Sequence, residues 1–200
     1  ILERGSASYD RVERLLYEKP QITDENADQS LTVTDIQGDL KYEIKFFAYP
    51  DEKEIPVLQN IDFTLKPGQT LGLVGKVGSG KTTIIELLLR EFDQYQGRIS
   101  LGGHDIRNIP LKLLLSEISY VPQNNFLFST SIEKNIAFSD ENVEKDKIES
   151  AAQKSDLHDD ILQMPAGYKT LVGENGVSLS GGQKQRLSIA RALLKESPIL

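Results

Sequence analysis

A glycine-rich stretch at residues 75–82, GKVGSGKT, has the residue types and the spacing needed to bind a chain of phosphate groups. It fits the pattern G-x-x-x-x-G-K-[ST] at every fixed position. The glycines let the backbone curl so that successive N–H groups point at one anion. Lys81 is predicted to reach the β- and γ-phosphates, and the Thr82 hydroxyl to bind Mg²⁺. The stretch therefore predicts a nucleotide-binding site.

The segments on either side of this loop agree with that prediction. Residues 70–74 (TLGLV) are nearly all apolar, which predicts a central strand covered on both faces. A helix is predicted over residues 82–92, and its positive N-terminal end near Lys81 would favour a phosphate. This order of strand, loop and helix is the context that a phosphate loop requires, whereas a ligand-free glycine turn does not require it. An N-K-x-D motif, which would indicate a guanine nucleotide, is absent from the sequence.

A second glycine motif, LSGGQ at residues 179–183, leads into a predicted helix over residues 183–195. Leu187, Ala190, Leu193 and Leu194 have helical spacing and predict one buried face. Ser180 and the two glycines after it predict a second anion-binding site, built from backbone N–H groups, a hydroxyl and the helix dipole. A plain N-cap would account for Ser180 alone, but it does not require two consecutive glycines.

Strands alternate with helices along the chain, which predicts an α/β fold with a mainly parallel core sheet. Strands are predicted over residues 42–49, 57–65, 98–101 and 118–121, and helices near 143–164 and 183–195. The strands between residues 40 and 65 form a more antiparallel flank, and a turn is predicted at residues 66–69, KPGQ. No internal repeat is visible.

LSGGQ followed by KQRLSIARAL resembles the signature motif of ATP-binding cassette (ABC) ATPases, and its order and spacing after the phosphate loop also fit that family. The resemblance covers residues 35–200 and extends more weakly through residues 1–30. It implies a P-loop NTPase fold with a RecA-like core sheet, an antiparallel β flank and a helical subdomain. Three further positions are similar to family motifs. Tyr49 resembles the aromatic residue that stacks on adenine, Gln123 the Q-loop glutamine, and Glu174, within TLVGENG at residues 170–176, the acidic residue of the exporter X-loop.

This resemblance implies a complete set of site residues. The catalytic residues within the chain are Lys81 and Gln123, and the Mg²⁺ ligands are Thr82 and Gln123. The residues that bind ATP in the same domain are Tyr49, Gly75, Lys76, Val77, Gly78, Ser79, Gly80, Lys81, Thr82, Thr83 and Gln123. The residues that contact the γ-phosphate held by a second domain, in a head-to-tail dimer, are Ser180, Gly181, Gly182 and Gln183. ATP would join the two domains, and hydrolysis would separate them.

The N-terminal arm, residues 1–34, indicates which kind of ABC protein the chain resembles. Residues 4–22, RGSASYDRVERLLYEKPQI, resemble the cytosolic extension of the last transmembrane helix of an exporter and the linker after it. We therefore expect residues 1–34 to be a helix and linker from a membrane domain, and residues 35–200 to be the ATP-binding domain. The substrate expected for such an exporter is drug-like or lipid, and the domain would lie at the cytoplasmic face of the membrane. A free-standing importer subunit and a non-transport ABC ATPase remain as alternatives.

Composition sets further bounds on function. The 200 residues suffice for one domain with an appendage, and none is Cys, which excludes disulfides and thiolate metal sites. The net charge of −7 argues against broad binding to nucleic acid. No apolar run approaches the roughly 18–20 residues of a transmembrane helix, and the first residues have no signal-peptide pattern.

Several residues that the family requires are expected after Leu200. SPIL at residues 197–200 resembles the opening of the Walker B strand, which the general-base Glu and a switch His would follow. The 200 residues alone are therefore expected to hydrolyse ATP negligibly. His104 and His158 are predicted to be surface residues rather than the switch, and the pair Asp159-Asp160 is not predicted to bind metal. The sequence resembles one subunit of bacterial heterodimeric exporters, in which Asp often replaces the catalytic Glu.

Overall fold

The computed structural model describes residues 9, 12–13, 16–17, 20–52, 55–138, 142–173 and 177–200. These residues form two compact units, residues 1–114 and residues 115–200. Most of the helix predicted at the start of residues 1–34 lies outside the described residues. The boundary predicted between residues 34 and 35 stays a prediction. No helix of the described part of the chain is long and apolar enough to cross a membrane.

The first unit contains a four-stranded antiparallel sheet. Its strands are β1 (Leu40–Phe47), β2 (Leu58–Leu65), β3 (Gln96–Leu101) and β4 (His104–Asp105), in the order β2-β1-β3-β4. Leu40 of β1 pairs with Leu65 on one side and with Leu101 on the other. The antiparallel flank predicted from residues 40–65 is therefore confirmed, and the strand predicted at 98–101 extends it.

Helix α1 (Lys81–Leu88) follows the phosphate loop and packs in this first unit. The side chains at alternate positions of β1 are buried, and Tyr42 and Ile44 are each 1% exposed. Ile84 and Leu87 are buried on α1, and the Tyr42 hydroxyl donates a hydrogen bond of 2.9 Å to the Ile84 carbonyl. Burial of these apolar residues and this one bond fix the helix relative to the strand. The sheet thereby holds the start of α1, where the phosphate loop ends.

Arg90 attaches the segment before the sheet to the end of α1. Its side chain is 1% exposed and pairs with Asp24 at 3.4 Å and with Asp93 at 3.0 Å. Its guanidinium also donates to the carbonyls of Thr23 and Ile109, at 3.2 and 3.0 Å. The five N–H groups of a guanidinium allow one side chain to join three separate segments in this way.

We expect Arg90→Ala to destabilise the first unit by about 1–3 kcal/mol, because it leaves the half-buried Asp93 carboxylate and the Thr23 and Ile109 carbonyls without this donor. The segment around Asp24 should then detach locally, and hydrogen–deuterium exchange of residues 20–31 in the full-length protein should become faster. The control is Arg98→Ala, since Arg98 is exposed and bonds only the Gly103 carbonyl among the described residues. Equal exchange rates in both variants would contradict the assignment.

The prediction of a buried central strand at residues 70–74 is wrong for this structure. These residues form no strand, Leu71 is 42% exposed, and Val74 is 98% exposed. A strand covered on both faces needs hydrogen-bonded neighbours and packed layers, and no described residue pairs with this run. The turn predicted after β2 is confirmed, because Gln69 N–H donates to the Lys66 carbonyl at 3.0 Å and Gly68 has a φ of +79°.

Helices dominate the second unit. They are α3 (Ile132–Ala137), α4 (Lys145–Lys154), α5 (His158–Leu162) and α6 (Gly181–Leu194), while α2 (Leu111–Ser116) runs across the chain boundary between the two units. The helix predicted near residues 183–195 is confirmed, and the helical stretch predicted near residues 143–164 is divided into the two helices α4 and α5. They enclose an apolar core that contains Ile132, Ile136, Ala151, Ala152, Leu157, Ile161, Val172, Leu187 and Ala190. On α6, Leu187 and Ala190 are fully buried as predicted, and Leu194 packs against this core. Leu193 is only partly buried.

The strand predicted at residues 118–121 is a single parallel bridge between Ile118 and Ile199. Ser119 N–H donates to the Ile199 carbonyl at 2.8 Å, and Ile199 N–H donates to the Glu117 carbonyl at 3.1 Å. Parallel pairing among the described residues is therefore limited to isolated bridges, and the mainly parallel core sheet that the sequence predicts does not form a continuous ladder there. Extended pairing requires adjacent strands of several residues, and only the short segment near Ile199 pairs here.

Candidate nucleotide-binding site

The Lys81 side chain lies against the phosphate loop that precedes it. Its ammonium group donates hydrogen bonds to the Gly75 carbonyl at 2.9 Å and to the Lys76 carbonyl at 2.8 Å, and lies 3.4 Å from the Ser79 hydroxyl. Val77, near the tip of the loop, is fully exposed. An ammonium group has three donors, so Lys81 can exchange carbonyl oxygens for phosphate oxygens from this position.

The start of α1 is shaped for an anion. Gly80, its N-cap residue, has a φ of +80°, and a Cβ there would lie 2.7 Å from the Leu58 side chain. No side chain caps the helix, so its first N–H groups are not satisfied in that way. A Cβ at Gly75 would lie 2.6 Å from the Ser79 hydroxyl, so the loop encloses a space that glycine keeps open. These features fit a phosphate group.

The two threonines at the start of α1 differ in their surroundings. Thr82 is exposed beside the loop, whereas Thr83 is 3% exposed. The Thr83 hydroxyl lies 2.7 Å from the Tyr49 hydroxyl, which also donates to a carboxylate oxygen of Glu86 at 2.8 Å. The hydroxyl of Thr82 is therefore the one available to a metal ion, and any phosphate contact of Thr83 would come from its backbone N–H.

Tyr49 lies in the first unit close to the first turn of α1. Its ring packs edge-on against Phe47 and Phe92, with both pairs of ring centroids 5.3 Å apart. Burial raises the pKa of the Tyr49 phenol above its usual range, and the hydroxyl donates to Glu86. Glu86 was not among the predicted site residues, and its partnership with Tyr49 depends on the fold rather than on any sequence motif.

The signature residues form the N-terminus of α6 in the second unit. Ser180 is the N-cap: its side-chain oxygen accepts from Gln183 N–H at 3.2 Å, and its own N–H donates to the Gln183 side-chain oxygen at 3.0 Å. This is a capping box, which stabilises the helix start. Gly181 and Gly182 are exposed, and their N–H groups have no acceptor among the described residues. Two donors are therefore available to an external anion.

The remaining predicted residues are placed as follows. Gln123 is exposed in the second unit, in the irregular segment before α3. Glu174 lies outside the described residues. His158 bonds the Tyr168 hydroxyl at 2.8 Å, and no group of three or more His, Asp or Glu in the described residues could hold a metal ion.

Asp160 is a residue of this region that the sequence interpretation missed. A carboxylate oxygen of Asp160 accepts from the Gln183 side-chain amide at 3.2 Å and from the Arg186 guanidinium. Asp160 and Gln183 are 23 residues apart in the sequence. No spacing rule for helices or strands links positions that far apart, so only the packing of α5 against α6 reveals the contact.

The phosphate loop with its lysine, placed before a helix, defines a P-loop nucleotide-binding domain, and comparison with known proteins specifies which kind. The profile of the ABC transporter family matches residues 58–200, so the chain belongs to the ABC transporter family. This membership confirms the predicted family and the predicted α/β ABC ATPase fold class, and it makes the chain a nucleotide-binding domain.

Curated relatives and a solved structure agree with this assignment. The chain is 44% identical over all 200 residues to the multidrug resistance-like ATP-binding protein MdlA of Escherichia coli. It is 41% identical over 200 residues to a probable multidrug resistance ABC transporter ATP-binding/permease protein, YheI, of Bacillus subtilis. It covers 33% and 34% of these two proteins, so it spans about a third of their length. A bacterial Atm1-family ABC exporter with ATP bound matches 98% of the chain with a TM-score of 0.84 and 32% identity, and 33% of that exporter is covered.

Proposed function

We propose that this chain is the ATP-binding domain of an ABC exporter, and that ATP hydrolysis there powers the export of a drug-like or lipid substrate. The observation that carries the proposal is the presence of two anion sites on one chain: the loop of Lys81, and the exposed N–H groups of Gly181 and Gly182. In a head-to-tail pair of domains, the first site holds ATP and the second contacts the γ-phosphate held by the other domain. Each ATP would therefore contact both domains and stabilise the dimer.

The relatives support the export function and the place of the chain in a longer protein. YheI is named an ATP-binding/permease protein, and the similar solved structure is that of an exporter. We infer that residues 1–34 connect to a membrane domain and that residues 35–200 bind ATP. The domain would then lie at the cytoplasmic face of the membrane, with a second ABC ATPase domain as its partner.

Each site residue has a distinct task in this proposal. Lys81 and the uncapped N–H groups of α1 hold the phosphates, and the Ser180 hydroxyl donates a hydrogen bond to the γ-phosphate across the dimer. We infer that the exposed Thr82 hydroxyl binds Mg²⁺. Gln123 is proposed as a further Mg²⁺ ligand because it resembles the Q-loop glutamine of the family. Few protein ligands are needed, since Mg²⁺ is commonly held by one or two side chains together with phosphate oxygens. The metal would neutralise charge on the phosphates.

The proposal is tested with the full-length protein in sealed vesicles, with the ATP-binding domain facing outward. We expect ATP with Mg²⁺ to drive accumulation of a fluorescent hydrophobic dye or a fluorescent short-chain lipid. A nucleotide that cannot be hydrolysed should bind but should not drive accumulation. Failure of the protein to bind ATP, or accumulation that is equal with and without ATP, would overturn the proposal.

Replacements of Tyr49 separate adenine stacking from hydrogen bonding. Tyr49→Ala should raise the KM for ATP about tenfold, because stacking of a base on an aromatic ring contributes about 1–3 kcal/mol. Tyr49→Phe keeps the ring and loses only the bonds to Thr83 and Glu86, so its KM should stay within about twofold of the wild type. Steady-state ATP hydrolysis by the full-length protein gives both values. An equal rise in KM for both variants would assign the effect to the hydroxyl instead.

A further inference from the structure

Asp160 connects α5 to the first turns of α6, at the signature motif. One of its carboxylate oxygens accepts two hydrogen bonds, from the Gln183 side-chain amide at 3.2 Å and from the Arg186 guanidinium. The Asp160 and Arg186 side chains are about one third exposed, 32% and 33%. An exposed ion pair of this kind adds little to stability by itself. Asp160 can nevertheless orient the side chains that it contacts, Gln183 and Arg186.

The charge on Asp160 determines which way the Gln183 amide faces. An ionised carboxylate only accepts hydrogen bonds, so the NH₂ end of Gln183 must point toward Asp160. The oxygen end then points at the Ser180 N–H, which donates to it at 3.0 Å. This bond is one half of the capping box, and the other half runs from Gln183 N–H to the Ser180 hydroxyl oxygen. The carboxylate therefore fixes the amide orientation that closes the box.

The closed box leaves a defined set of donors directed outward. Because the Ser180 oxygen accepts from Gln183 N–H, its own hydroxyl proton is free to donate elsewhere. The N–H groups of Gly181 and Gly182 have no acceptor among the residues described. Arg186 also stays close, since a Cβ on Gly182 would lie 3.7 Å from a guanidinium nitrogen. Hydroxyl, N–H groups and positive charge together suit a phosphate oxygen.

We propose that Asp160 is a positioning residue that holds Gln183 and Arg186 so that the donors of Ser180, Gly181 and Gly182 face the γ-phosphate of ATP bound to a second domain. This inference rests on the proposed function, because the phosphate it serves belongs to the partner domain. Asp160 contacts no nucleotide itself. It acts on the reaction only through the residues of the signature motif.

The first test compares Asp160→Asn with Asp159→Asn in the full-length protein. Asp159 is exposed on the same helix, and no hydrogen bond or ion pair of its side chain is found in the described residues. Asp160→Asn removes a charge-assisted contact, so kcat/KM for ATP should fall about tenfold. Asp159→Asn should leave kcat/KM within about twofold. An unchanged kcat/KM in Asp160→Asn would overturn the proposal.

Affinity for ADP separates a positioning role from damage to the fold or to the Lys81 site. ADP lacks the γ-phosphate that the signature residues contact, so its binding reports the phosphate loop alone. The Kd of a fluorescent ADP analogue should be the same in Asp160→Asn and in the wild type. A parallel loss of ADP affinity and of kcat/KM would assign Asp160 a general structural role and reject the proposal.

A combined variant tests whether Asp160 acts through Gln183 and Arg186. In a background that carries both Gln183→Ala and Arg186→Ala, Asp160→Asn should lower kcat/KM by less than about twofold, because both of its partners are already gone. A further tenfold loss in that background would show an independent role and overturn the proposal. If the proposed function itself were wrong, the result would be different: the wild-type protein would bind neither ATP nor the ADP analogue.

Discussion

Replacement of Lys81 by alanine should weaken nucleotide binding to the full-length protein, with a loss of affinity for ATP and for ADP of about 100-fold. Two or more charge-assisted hydrogen bonds to phosphate are worth about 1.5–3 kcal/mol each, and each 1.4 kcal/mol is a factor of ten. Lys81 is the charged side chain that the structure holds within the loop, 2.9 Å from the Gly75 carbonyl. Isothermal titration or fluorescence of a labelled ADP measures the loss.

Two companion variants show what the loss means. Lys66→Ala removes an exposed lysine from the turn after β2 and should leave the affinity unchanged. Lys81→Arg keeps the positive charge but replaces the compact ammonium group with a larger, planar guanidinium group. Its affinity for nucleotide should therefore be little better than that of Lys81→Ala. Because Lys81 also bonds the Lys76 carbonyl, the thermal unfolding midpoint of each variant must be measured with the affinity. A variant that stays folded and still binds ADP normally would contradict the role given to Lys81.

Gly181→Ala should separate activity from stability. The backbone of Gly181 does not need glycine, since its φ is not left-handed and a Cβ there would meet nothing within 4 Å. Alanine favours a helix by up to about 1 kcal/mol over glycine, so the fold should be equally or more stable. A methyl group at this exposed position would nevertheless obstruct a phosphate that approaches the N–H from another domain. A misplacement of about 1 Å can cost about 100-fold in rate, and we expect kcat for ATP hydrolysis to fall by that order.

The measurement is steady-state hydrolysis by the full-length protein, together with its affinity for ADP. ADP affinity should stay normal in Gly181→Ala, because the nucleotide bound by the same domain contacts the loop of Lys81 instead. Gln153→Ala, on the exposed surface of α4, should change neither quantity and serves as the control. If Gly181→Ala lowered stability while kcat stayed normal, the glycine would have a structural role that the geometry does not show.

Local sequence signals predicted the elements whose formation depends on nearby residues. The strand near Tyr42, the turn at Pro67-Gly68 and the helix after Gly80 each follow from residue types a few positions apart. The phosphate loop is also local, because its donors and its lysine come from eight consecutive residues. The residues that bind nucleotide stay predictions, and the variants above test them.

Predictions that depended on distant segments failed or could not be made. Residues 70–74 have the composition of an inner strand, but a strand is buried only where other strands flank it, and Val74 is 98% exposed. The bond between Asp160 and Gln183 depends on how two helices pack, which no local pattern encodes. The contact between the Thr83 and Tyr49 hydroxyls joins residues 34 apart in the sequence, so no local pattern could predict it.

The sequence alone therefore determined the ABC family, the loop that offers Lys81 to phosphate and the glycine-led start of α6, since motifs of consecutive residues carry all three. Only the tertiary structure decided which donors are free. In the structure the Thr83 hydroxyl contacts the Tyr49 hydroxyl, Ser180 and Gln183 form a capping box, and Asp160 accepts a hydrogen bond from the Gln183 side chain. The physical reason is that a hydrogen-bonding group is available to a ligand only when no neighbour in space has already bonded it.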